Sequence, residues 1–185
     1  MKKVLLLLAV LVIAGGAAFG FDILSYPPPV GGGDILVDIG IGFTRAAYGD
    51  LVLPPLRLSA EYALPVGVPI SVGGLFAFHR SEYKLSLIGS QKWTWNHITF
   101  GGRGNWHWGL DVSWLDLYTG IFLGYEIASL TYDGPNKSYY EDYYDVGGFT
   151  AGGQVGAHFY FTDMLGAMVE FGYPYWFNVG LALKF

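Results

Sequence analysis

Seven charged side chains carry the acid–base and ion-pairing potential of this chain: Asp38, Arg57, Glu61, Arg103, Glu126, Glu170 and Lys184. Brought together out of water they would have to pair, because an isolated buried charge costs too much to keep. Four histidines, His79, His97, His107 and His158, invite a second chemistry. Two imidazoles and a carboxylate can hold zinc. A serine or an acid pair beside a histidine would be the start of a lipid-modifying or proteolytic enzyme. No convergent nucleophile–base–acid set stands out, so the sequence predicts no catalytic residue, no metal site and no cofactor. With Cys 0, thiolate ligands and disulfides are both ruled out. One further stretch, Tyr132 through Asp145, is acidic and rich in tyrosine. Tyrosines give rigid contact area at low entropic cost, which suits surface recognition. Glu141, Asp142 and Asp145 could meet calcium, but the EF-hand spacing is missing. The plainer expectation is a solvated loop.

The elements that must position these groups show in the hydropathy pattern, which from Asp34 onward has a period of two. Ile35, Val37, Ile39, Ile41 and Phe43 alternate with Leu36, Asp38, Gly40 and Gly42. The same pattern recurs near residues 56–62, 70–79, 97–107, 117–127, 151–161, 165–172 and 177–185. In all eight segments the apolar face is free of Asp, Glu, Lys and Arg. The charged residues, the four histidines and many glycines share the other face. A half-buried strand of a soluble sandwich has a polar outer face. A face without charge, on segments close to the 9–11 residues of a tilted spanning strand, is instead what lipid demands. The predicted fold is all-β: an eight-stranded antiparallel up-and-down transmembrane β-barrel with a small, side-chain-filled interior.

Composition agrees. Hydrophobic residues make up 52% and charged residues 14%, against about 25% charged in ordinary globular chains. Yet beyond Gly20 no apolar run could span a bilayer as a helix, and lipid admits only helices and closed barrels. The net charge of −5, with no basic run, argues against nucleic acid as a partner. Lys2 and Lys3, the apolar stretch Val4–Ala14 and Ala18-Phe19-Gly20 follow the signal-peptide layout. The expected organisation is a signal peptide at 1–20, an N-terminal linker at 21–33 and the barrel at 34–185. Connections near 65–69 and 162–164 are short, and those at 45–55, 81–95 and 131–148 are long. That asymmetry puts both termini on the periplasmic side of a bacterial outer membrane. Trp106, Trp108 and Trp114 fall where an interfacial aromatic girdle belongs.

The last strand adds a resemblance. Phe177, Val179, Leu181, Leu183 and Phe185 resemble the β-signal that outer-membrane assembly machinery reads. Leu115-Asp116-Leu117-Tyr118-Thr119-Gly120 with Leu123-Gly124-Tyr125, and Tyr160 through Gly166, resemble small barrels of the OmpA, OmpX and OmpW type, and proteins of the outer membrane protein β-barrel domain family. The resemblance implies an outer-membrane protein inserted by barrel assembly machinery and periplasmic chaperones, with outer-membrane lipid around it. The function expected of such a barrel is a structural or surface-interaction role without catalysis, with the tyrosine-rich residues 131–148 as the surface for any ligand. A small porin-like channel for small or hydrophobic solutes is the alternative, and a lipid-modifying enzyme a distant third.

Overall fold

The computed structural model describes residues 27–43, 50–85, 91–134 and 146–185. The signal-peptide segment, residues 21–26 of the linker and the centre of the acidic tyrosine loop, with Glu141, Asp142 and Asp145, lie outside them. Eight strands run in chain order: β1 Ile35–Phe43, β2 Asp50–Ala63, β3 Ile70–Leu85, β4 Gln91–Trp108, β5 Leu115–Asp133, β6 Val146–Tyr160, β7 Leu165–Gly172 and β8 Phe177–Lys184. Each pairs antiparallel with its neighbours, and β8 closes on β1, giving a closed barrel. The closing register runs from Leu36 opposite Lys184 to Phe43 opposite Phe177. Two backbone bonds of 2.9 Å between Ile35 and Phe185 extend it by one residue.

Period-two alternation becomes inside and outside, because successive side chains of a strand point to opposite faces. Ile39, Leu58, Phe76, Phe100, Ile121, Leu123, Phe171 and Leu181 are exposed on the outer surface. Asp38, Arg57, Ser59, Glu61, Ala77, Arg103, Glu170 and Asn178 are buried inside. The barrel is therefore inverted relative to a soluble protein: apolar outside, polar within.

The strands outrun the segments legible in the sequence. β3 and β4 continue through most of the expected 81–95 loop, to Leu85 and from Gln91. β2 starts at Asp50 within the expected 45–55 loop, and β5 reaches Asp133. In these extensions the ladder persists while outward side chains turn polar. Arg80 faces Asn96, Glu82 faces Thr94, and Lys84 faces Lys92. The result is a slanted rim, with 18 and 19 residues in β4 and β5 against 8 each in β7 and β8.

Candidate functional site

Residues of alternate parity from seven strands meet in one buried network inside the barrel. Its centre is Glu170 on β7. Arg57 on β2 grips it with both terminal nitrogens, Nη1 at 2.8 Å from Oε1 and Nη2 at 3.0 Å from Oε2. Arg103 on β4 donates to Oε2 at 2.7 Å and Tyr118 on β5 at 2.9 Å. The guanidinium of Arg103 also lies 2.9 Å from Glu61 through Nε. Glu61 accepts from Asn105 at 2.7 Å and from the Ser71 hydroxyl, and Gln154 on β6 donates to Asn105 at 2.8 Å. Both arginine side chains and that of Glu170 have no exposed surface. Charge-assisted bonds of this kind are the strong ones, and the two-pronged Arg57–Glu170 contact fixes orientation as well as distance.

A second chain of contacts joins the same network. Asp38 accepts from Ser59 at 3.1 Å, lies 3.8 Å from Arg57 and 3.2 Å from His158 Nε2. His158 Nδ1 in turn lies 2.9 Å from Asp116, which also meets His107 Nδ1 at 2.9 Å. His107 Nε2 is 2.9 Å from the Ser71 hydroxyl. Both ring nitrogens of His158 thus face carboxylates, the arrangement of an imidazolium shared by two acids. Four carboxylates (Asp38, Glu61, Asp116, Glu170) stand against two guanidiniums and two imidazoles. The ring nitrogens aim at carboxylates or a hydroxyl, and among the described residues no three His, Asp or Glu converge on a point that could hold a metal ion. Ser71, His107 and Asp116 have the connectivity of a nucleophile–base–acid set. Ser71, however, is fully buried and also bonded to Glu61, leaving no room for a substrate carbonyl.

Of the seven charged residues singled out in the sequence, Asp38, Arg57, Glu61, Arg103 and Glu170 lie together here. Glu126 and Lys184 do not. Along β5 the inward positions run from Asp116 and Tyr118 through the buried Phe122 before reaching Glu126. Phe122, with Leu75, Ala77 and Tyr175, forms an apolar cluster that parts Glu126 from the network. Above it, Glu126 lies 3.2 Å from His97 Nδ1 and accepts from Tyr173 at 3.1 Å. His79 stacks on His97 with ring centroids 4.3 Å apart and meets the Tyr175 hydroxyl at 3.2 Å. Tyr173 and Tyr175 belong to the β7–β8 hairpin. Gly42 and Gly152 line their seats, and a Cβ at either would collide with the tyrosine side chain. Burial pushes both tyrosine hydroxyls up, so they remain donors. On the polar rim, the Lys92 ammonium 2.9 Å away holds the half-buried Glu82 carboxyl below its usual range.

Lys184 serves the opposite mouth. Its ammonium donates to the Pro29 carbonyl at 2.8 Å and lies 4.5 Å over the Tyr160 ring. Val30 packs on Leu36 and Ala63, so residues of the stretch read as a linker fold against the barrel end. A cavity of about 570 Å³ opens there, lined by Pro27, Val30, Leu64, Val68 and Trp106, with His107 among its lining residues.

The residues missed by sequence reasoning are the neutral and bridging ones: Ser59, Ser71, Asn105, Asp116, Tyr118 and Gln154. Parity was the available signal, since each shares the inward face of its strand. Asp116 also lies just outside the alternating segment read at 117–127.

No protein-family model matches the sequence, and no curated protein is similar to it at the sequence level. Solved structures do match. Ail, the attachment invasion locus protein of Yersinia pestis, in complex with the heparin analogue sucrose octasulfate, aligns at 13% identity and TM-score 0.50, covering 84% of this chain and 100% of that one. Ail without that ligand aligns at 14% identity and TM-score 0.49, over 83% and 99% of the two chains. The N-terminal β-barrel domain of Pseudomonas aeruginosa OprF aligns at 13% identity and TM-score 0.41, over 84% and 98%. What this chain shares with the Ail complex is its architecture, an eight-stranded antiparallel β-barrel.

Proposed function

We propose that this protein is an integral barrel of a bacterial outer membrane, sealed along its axis, with a structural or surface-interaction role and no catalysis of its own. The observation that carries the reading is the Arg57–Glu170–Arg103–Glu61 network, which fills the lumen with fully buried, mutually paired charge. An eight-stranded barrel is just wide enough for side chains to fill, and here they do. The exposed belt of Ile39, Leu58, Phe76, Phe100, Ile121, Leu123 and Leu181 supports lipid as its surroundings. Export through residues 1–20 and insertion by assembly machinery reading Phe177, Val179, Leu181, Leu183 and Phe185 belong to the same reading. The slanted rim favours the β3–β6 side, including residues 131–148, as the face offered to a surface ligand.

The test is planar-bilayer recording of the refolded protein, with heat-dependent gel mobility to establish that the barrel is closed. A silent bilayer is the expected result. Steady, reproducible openings would overturn the sealed reading and promote passive transport, with Arg57 and Arg103 as the first residues to alter.

A further inference from the structure

The two tyrosine side chains of the β7–β8 hairpin close one barrel mouth, whereas the strands close the barrel by a backbone ladder. That ladder reaches the first residue of the hairpin, where the Tyr173 N–H donates to the Gly153 carbonyl at 3.1 Å, and the Asn178 amide donates to the Tyr175 carbonyl at 3.2 Å. The tyrosine side chains are seated separately, by hydrogen bonds of Tyr175 with His79 at 3.2 Å and of Tyr173 to Glu126 at 3.1 Å, and by ring packing. Tyr175 stands edge-on to the His79 ring, and Tyr173 stacks on Phe122 with centroids 5.5 Å apart. At its base Gly172 has φ +140°, a conformation that L side chains rarely adopt. Strand ladders and seating contacts can therefore fail separately.

The seat is built on a pair of imidazoles. His79 and His97 are directly opposite on β3 and β4, stacked at 4.3 Å with planes 5° apart. The groups facing His79 are His97 from β4, Glu126 from β5 and Tyr175 from the hairpin. Those facing His97 are His79 and Glu126, and Glu126 also receives Tyr173. One carboxylate therefore serves two stacked imidazoles. It can balance one imidazolium, and a second charge at stacking distance has no partner. A charge on both rings therefore leaves one of them unbalanced against the seat of Tyr175.

We propose that the β7–β8 hairpin is an acid-released plug: proton uptake at the His79–His97–Glu126 cluster unseats Tyr173 and Tyr175 and uncovers the apolar floor of Leu75, Ala77 and Phe122, while the barrel stays closed. Histidine is the side chain whose charge changes in the range where such a device would act. The inference goes beyond the sealed-barrel reading and does not need it. The ion-paired network lies on the far side of the apolar floor and can remain shut whether or not the hairpin moves.

The chain has no cysteine, so one engineered thiol is a unique reporter. Ala77→Cys, fully buried beneath the hairpin, is labelled with an uncharged water-soluble thiol reagent in the refolded full chain. Its rate is divided by that of Trp176→Cys, an exposed hairpin position, to remove the reagent's own pH dependence. Between about pH 7.5 and about pH 5 the normalised rate should rise about tenfold or more, the factor that one unit of difference in proton affinity between seated and released hairpin provides. In the His79→Gln background, where an amide keeps a partner for Tyr175 without titrating, the rise should be lost. Gel mobility at each pH reports the closed barrel independently. If Ala77→Cys does not assemble, Leu75→Cys, on the same floor, takes its place. A flat normalised rate in the presence of both histidines overturns the proposal. So does an equal rise in His79→Gln.

Discussion

Glu170 is the residue on which the lumen depends, because two guanidiniums and a tyrosine hydroxyl converge on its carboxylate. Removing one partner of a buried pair leaves the other charge uncompensated, at a cost of about 3–5 kcal/mol. Glu170→Gln should lower the unfolding free energy in lipid by that order, read as a drop in the urea midpoint, since it strands parts of Arg57 and Arg103 together. Glu82→Gln, which removes a rim carboxylate paired with the exposed Lys84 and Lys92, should leave the midpoint nearly unchanged. Similar midpoints for the two variants would mean that the network is not what holds the lumen. At this scale the sequence was only partly legible. Parity told which side chains point inward, but not which strand brings a partner to each. Asp116 shows why. Its partners His107 and His158 come from the strands on either side, and local pattern cannot give that register. Glu126 shows the converse: its parity matches Glu170's, yet Phe122 and its neighbours hold the two apart.

Strands were the most legible feature, and their ends the least, for a common physical reason. An uncharged outer face identifies a strand only where that face meets lipid. Beyond the belt the outward positions of β3 and β4 become Arg80, Glu82, Lys84, Lys92, Thr94 and Asn96, while backbone pairing continues to Leu85 opposite Gln91. Polar cross-strand pairs extend the hairpin there without any signature that separates them from a loop. Within the belt, Leu123 on β5 is among the most exposed apolar side chains, at 62%. An arginine on the lipid face near the bilayer midplane costs about 2–4 kcal/mol. Leu123→Arg should destabilise the folded protein in vesicles by that amount, while Leu123→Ala should cost far less. Equal tolerance of both would remove lipid from that face.

At the scale of the whole molecule, one seam decides whether there is a barrel at all. β1 and β8 lie at opposite ends of the described chain and pair over eight residues, with Phe185 and Ile35 exchanging two further backbone bonds at the end. Deleting Phe185 removes both of those bonds and the exposed aromatic that follows β8. Yield of assembled protein in the outer membrane should fall clearly, read as the heat-modifiable fraction. Unchanged yield would show that neither closure of the seam nor the proposed assembly signal depends on Phe185. The seam also bears on folding kinetics. Contacts between residues far apart in sequence carry the largest loop-closure entropy and form slowly. Every pairing except this one joins strands adjacent in the chain, so a growing sheet can zip up quickly yet stay open until its first and last strands meet. Until then it carries two bare edges, each a template for joining another chain. The interval before closure, more than the finished fold, is when this chain most needs an escort.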